Sequence, residues 1–120
     1  VVAPGKHLTT KVEGVDIKLP LDQATSLALV INELVQNAVE HGFKVIDDGR
    51  ILINLEEVND EVIVRVFNDG EELPSDFEPA ETSSLGLRIV TDLVRGGLGG
   101  TFTMENSGGI LATVRFPRRQ

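Results

Sequence analysis

Glu33, Asn37 and His41 recur at spacings of four within Asn32-Glu33-Leu34-Val35-Gln36-Asn37-Ala38-Val39-Glu40-His41-Gly42-Phe43. On an α-helix that spacing puts all three on one stripe. A solvated stripe would more naturally carry Lys and Glu. A carboxylate one turn from a carboxamide offers two hard oxygen donors, a pair suited to a hard cation and a water. A second place is Asn68-Asp69-Gly70-Glu71-Glu72-Leu73-Pro74, at the end of an apolar strand pattern. Asn68 or Asp69 could hydrogen-bond the edge of a heterocycle, and Gly70 could let a flat ring lie on the backbone. A third is Ser83-Ser84-Leu85-Gly86-Leu87-Arg88-Ile89-Val90, where a polar loop enters a helix. The first N–H groups of a helix are unpaired and its dipole favours negative charge there, so this is an anion site. Metal, base and phosphates together describe a nucleotide pocket.

Those residues need elements to position them. Residues 8–19 read as two short extended pieces, Leu8 to Val12 and Val15 to Lys18, around Glu13-Gly14. Pro20 and Asp22 then punctuate a helix start, with Asp22 expected as the N-cap. Leu27, Ile31, Leu34 and Ala38 recur with helical period, widened by Val30 and Val35, and the helix should stop at Gly42. Ile51, Ile53 and Leu55 share one strand face and Val62, Val64 and Val66 another; Asn59-Asp60 between them predicts an antiparallel hairpin. Residues 69–84 read as a loop, long enough to suspect function. A second helix is predicted from Leu85 to Arg95, stopped by Gly96-Gly97. Gly99-Gly100 reads as a turn. Two last strands, 101–105 and 110–116, are joined by Asn106-Ser107-Gly108-Gly109. Strands that mostly pair antiparallel, with two amphipathic helices, predict a two-layer α/β sandwich with the helices on one face.

The chain of 120 residues is sized for one domain, and its 41% hydrophobic content is that of a globular protein. The net charge of −8 and only five Phe argue against nucleic acid as a partner. No run of 18 apolar residues predicts membrane contact. Absence of cysteine rules out disulfides and thiolate chemistry and fits a reducing cytoplasm. The chain begins at Val1 and its one methionine is Met104, so it reads as a piece excised from a longer protein.

The order of these segments resembles a known family. The Glu33-x-x-x-Asn37 helix, the Asn68-Asp69-Gly70 strand end, the Leu85-Gly86-Leu87 helix start and a final hairpin ending Val114-Arg115-Phe116-Pro117 follow the N, G1 and G2 box succession of the GHKL ATPases. Within that superfamily the chain is most similar to sensor histidine kinase catalytic domains, in the subgroup with the second, HWE-like type of phosphoacceptor domain. The resemblance implies a sandwich of the Bergerat type over residues 1–120, with 1–14 as a lead-in and 71–84 as an ATP lid. It implies ATP and Mg²⁺ as cofactors. Asn37 matches the asparagine that ligates Mg²⁺, and Glu33 matches the position that orients a water or acts as base. Asn68 aligns with the aspartate that reads the adenine amino group, with Asp69 as an alternative, and Gly70 with the adjoining glycine. Ser84, Leu85, Gly86 and Leu87 match the phosphate-contacting segment. His41 has at most a supporting role. The implied partners are a helical dimerisation and phosphoacceptor domain of the same parent protein and a response regulator.

The chain departs from the family pattern at Asn68 (usually Asp), Glu72 (usually Gly), Glu40 (usually Lys), and at Thr82 and Ser84 (usually Gly). Lys44 or Arg88 could replace the missing lysine. His7 precedes extended structure and reads as a surface residue, not a phosphoacceptor. Thr113 reads as an ordinary strand residue, and the acidic cluster of residues 71–81 as a solvated lid. The rival readings are an anti-sigma-factor serine kinase of the same superfamily and a non-catalytic interaction module.

Overall fold

The computed structural model describes residues 7–42, 48–74 and 85–119. Five strands form one sheet: β1 (His7–Gly14), β2 (Asp48–Val58), β3 (Glu61–Asn68), β4 (Thr101–Asn106) and β5 (Ile110–Pro117), in spatial order β1-β2-β3-β5-β4. Two helices cover one face, α1 (Leu21–Asn37) and α2 (Leu85–Asp92). Each ends in a wide π turn, Ala38–Gly42 after α1 and Leu93–Leu98 after α2. The mixed, mainly antiparallel two-layer sandwich expected from the sequence is present.

The period-2 and period-3.6 patterns meet in one core. Ile51 and Ile53 of β2, Val62, Val64 and Val66 of β3, and Ala112, Val114 and Phe116 of β5 point to the helices. Leu27, Val30, Leu34 and Ala38 from α1 and Leu87, Val90, Val94 and Leu98 from α2 and its wide turn fill the other side. The helical stripe is rotated slightly from expectation: Val30 is fully buried, and Ile31 and Val35 pack at the margin. Asn59 and Asp60 both take positive φ (52° and 65°), as a two-residue hairpin matching strand twist requires.

Three local expectations are corrected. Residues 8–19 do not form two strands: β1 is one strand and pairs parallel with β2, while residues 15–20 run without regular structure. Asp22 is not the N-cap; Pro20 holds that position, and Asp22 sits in the first turn, paired with the Arg119 guanidinium. Gly96-Gly97 does not stop α2. The chain runs on to Leu98 and is capped by Gly99 in the left-handed region (φ 68°). Gly97 instead allows close approach of α1, because a Cβ there would lie 2.6 Å from the Ser26 hydroxyl.

A buried polar residue closes the sandwich. Gln23 is fully buried; its Nε2 donates to the Pro117 carbonyl (2.9 Å) and its Oε1 accepts from the Arg119 N–H (3.0 Å). The end of β5 is thus stitched to the first turn of α1. Arg118 ties the same tail to the β2–β3 hairpin: its N–H reaches the Asp60 carbonyl (2.8 Å), and its guanidinium pairs with Glu57 and Asp60.

Candidate functional site

The strand registers decide which ends of the elements meet. Asn68, the last residue of β3, lies between Ile51 near the start of β2 and Ile110 at the start of β5. α1 begins at the opposite end, where Gln23 meets Pro117, so its C-terminal end with Asn37 returns to the Asn68 end. α2 finishes through Gly99 into Thr101, which pairs with Arg115 at the far end of β5. Its first residues, Leu85-Gly86-Leu87, therefore also face the Asn68 end. The topology gathers the three motifs at one end of the sandwich.

Asn37 is the last α-helical residue before the wide turn and is half-buried. It follows the fully buried Val30 by seven residues, about 20° round the helix at 3.6 residues per turn, so it projects over the core edge. Glu33 is also half-buried one turn earlier. Helix widening by a π turn is frequent at functional sites. It also breaks the spacing-of-four stripe, because the step from Asn37 to His41 runs through the wide turn. The side chain of His41 lies outside the described residues. So do Lys44, Thr82 and Ser84, and residues 75–84 of the expected lid. Glu40 is exposed and lines a cavity on the outer flank of α1 with Asn32, Val35, Gln36 and Val39, away from Glu33 and Asn37.

Asn68 is a buried polar side chain in an apolar setting, only 5% exposed, and its Oδ1 accepts from the Gly70 N–H (3.0 Å). Asp69 turns the other way. Its carboxylate accepts from the Arg50 backbone N–H (2.7 Å) and meets the Arg50 guanidinium (3.4 Å), while its own N–H donates to the Arg50 carbonyl (3.2 Å). Asp69 is a clasp between strand ends, with both carboxylate oxygens turned to Arg50. Thr113 pairs with Arg65 and Thr103 on the sheet face opposite Asn68. At α2, Leu85 is exposed, Gly86 half-buried and Leu87 buried, so the backbone of the first turn is open on one side.

Sequence reasoning missed two supports of this end. Asn106 donates from Nδ2 to the Leu73 carbonyl (3.0 Å) and accepts at Oδ1 from the Leu73 N–H (2.8 Å), holding the segment after Asn68 like a short strand pair. Gly109, at φ 144°, passes so close that a Cβ would lie 2.1 Å from the Asn68 carbonyl oxygen. Both residues sat inside what read as a plain hairpin turn. Neither partner is near in sequence, so no local pattern reveals the contact.

Among the described residues no group of three or more His, Asp or Glu side chains could hold a metal ion. A caged metal site is therefore not what this end offers. A cation taking one or two protein oxygens and completing its shell with water and phosphates fits the Asn37 carboxamide and the neighbouring Glu33. No helix of the described residues is long and apolar enough to cross a membrane.

Comparison with known proteins agrees with this arrangement. The family model described as histidine kinase-, DNA gyrase B-, and HSP90-like ATPase matches residues 22–120. The sensor histidine kinase PdtaS of Mycolicibacterium smegmatis is 40% identical over 102 residues, covering 82% of this chain and 20% of that protein. The chain thus spans about a fifth of the length of that curated relative. An anti-sigma F factor of Clostridium botulinum is 30% identical over 94 residues, covering 76% of this chain and 62% of its own. Among solved structures, the blue-light activated histidine kinase EL346 of Erythrobacter litoralis superimposes with a TM-score of 0.84 at 27% identity, over 92% of this chain and 35% of that one. The histidine kinase ThkA, solved in complex with the response regulator TrrA, gives 0.76 at 28% identity over 93% and 34%. With the family model covering residues 22–120, the protein belongs to the histidine kinase-, DNA gyrase B- and HSP90-like ATPases, and its relatives include named sensor histidine kinases.

Proposed function

We propose that this chain is the ATP-binding catalytic domain of a sensor histidine kinase. It binds Mg·ATP at the Asn68 end of the sandwich and presents the γ-phosphate to a histidine on a separate helical dimerisation domain, for relay to a response regulator. The observation that carries this reading is the convergence, by strand register, of the α1 C-terminal end, the β3 end and the α2 start. Asn37 holds Mg²⁺ through its carboxamide oxygen, and the ion supplies charge neutralisation on the phosphates when bound. Glu33 orients a water or accepts a proton. Asn68 faces the purine edge, a role the Arg50-bound carboxylate of Asp69 is not free to take. Gly70 underlies the ring, Ser84 to Leu87 meet the phosphates, and His41 supports the metal corner. Residues 71–84 form the lid. Such a domain acts by positioning and charge stabilisation, and alone it does not phosphorylate itself. It operates in the cytoplasm, where ATP and response regulators are found.

Calorimetric titration with a non-hydrolysable ATP analogue and Mg²⁺ tests the reading. Saturable binding is expected, and none at millimolar nucleotide would refute it. The anti-sigma F resemblance keeps serine as a rival acceptor. Acid-labile label on an added helical phosphoacceptor domain supports the histidine assignment; acid-stable label on a serine-bearing protein partner refutes it.

A further inference from the structure

Asn68 carries more information than its position. The bond from the Gly70 N–H fixes the orientation of the carboxamide, because a backbone N–H can be met only by the oxygen. The Nδ2 group therefore faces the other way with two N–H donors. It has no acceptor among the described residues, although the side chain is about nineteen-twentieths buried. Its neighbours on the same face of the sheet are Ile51 and Ile110, both buried and unable to accept a bond from their side chains. The carboxylate of the adjoining Asp69 is engaged by Arg50. A ligand acceptor placed beside Nδ2 would complete the hydrogen bonding of the carboxamide.

An aspartate at this position would present only acceptors, which suit a purine whose 6-substituent is an amino donor. Asn68 adds a donor that an aspartate lacks. A 6-oxo group can accept from Nδ2 while the remaining lone pair of Oδ1 takes the adjoining ring N1–H, so a 6-oxo purine finds as many partners on the carboxamide as a 6-amino purine does. We infer that Asn68 is a specificity-determining residue that opens the base pocket to 6-oxo purine nucleotides, inosine and guanosine triphosphates, which bind at least as tightly as ATP. This inference rests on the reading of this end as a nucleotide site.

The test is competitive binding of Mg·ATP, Mg·ITP and Mg·GTP to the 120-residue chain and to its Asn68→Asp and Asn68→Ala variants. ITP is the cleanest probe because it differs from ATP only at the 6-position and the adjoining N1–H. Wild type should bind ITP as tightly as ATP or tighter. Asn68→Asp keeps an oxygen for the Gly70 N–H and should shift the ITP-to-ATP preference by about tenfold or more toward ATP, the order of one mismatched buried hydrogen bond. Asn68→Ala should bring the preference close to one, which supports the inference even if the aspartate variant fails to fold. ATP binding tenfold tighter than ITP in wild type would overturn the inference and leave the nucleotide site standing. An unchanged preference in both variants would also overturn it. Failure of all three nucleotides to bind would remove the site itself.

Discussion

Gln23 offers a strong test of how the sandwich is closed. It is fully buried and makes two hydrogen bonds, to the Pro117 carbonyl and from the Arg119 N–H, bridging positions more than ninety residues apart. Each such bond is worth about 0.5–1.5 kcal/mol net. Truncation to alanine also leaves a cavity between α1 and the end of β5, which raises the cost. Gln23→Ala should therefore lose about 2–4 kcal/mol. At about 4 °C per kcal/mol for a domain of this size, the melting temperature should fall by about 8–16 °C. Gln23→Leu refills the volume without the bonds. Arg119 and Pro117 are exposed enough to turn to water, so it should recover about half the loss. Equilibrium urea unfolding of wild type and both variants measures this directly. In a chain truncated after Pro117, which lacks the Arg119 N–H, the penalty of Gln23→Ala should shrink by about one bond. A loss under about 0.5 kcal/mol for Gln23→Ala, or wild-type stability for Gln23→Leu, would refute the clamp.

Other outcomes follow from the same geometry. Asn37→Ala should weaken nucleotide binding about tenfold or more when Mg²⁺ is present and little when it is chelated; equal losses in calorimetry would contradict the ligand role. Gly109→Ala should destabilise by more than about 2 kcal/mol, because its Cβ meets the Asn68 carbonyl and φ is positive; circular dichroism melts read it. Asn106→Ala removes two exposed bonds to Leu73, so global stability should drop by about 1 kcal/mol or less while hydrogen exchange at the Leu73 amide rises about tenfold or more. The Arg119 guanidinium holds the Asp22 carboxyl below its ordinary value of 3.8, so that pair helps above this pH and its help fades as pH falls through the lowered value. Asp22→Asn should lower stability slightly near neutrality, converge with wild type in acid, and so flatten the acid limb of a pH–stability curve.

Much of this fold was written locally. The alternating runs at 51–55 and 62–66, the Asn59-Asp60 turn and the helix ending at Gly42 all encode structure in neighbouring residues. What was hidden depends on distant partners. β1 finds a parallel neighbour across the whole of α1, and no turn residue announces such a pairing. Gln23 reads as a surface helix residue until the tail arrives to satisfy it. Gly96-Gly97 carries a stop signal that packing against Ser26 overrides. At the site, residue types and order pointed to Asn37, Asn68 and Leu85–Leu87, and the registers bring their elements to one end. Which of Asn68 and Asp69 faces inward was not readable, because it turns on Arg50, eighteen or nineteen positions away on another strand.

The direction of β1 has a consequence for tethering. His7 pairs with Asp48, so the polypeptide enters the sheet at the same end as Asn68. Counting three residues along and two strands across, the entry point lies about 14 Å from Asn68. A domain fused ahead of His7 is therefore leashed beside the pocket mouth and not at the Gln23 end. A short connection from there keeps an acceptor side chain at an effective concentration of about a millimolar or more. Under the proposed function, phosphoryl transfer between the two would be an encounter governed by linker length. Lengthening the connection should slow it roughly as the −3/2 power of length, with nucleotide affinity unchanged.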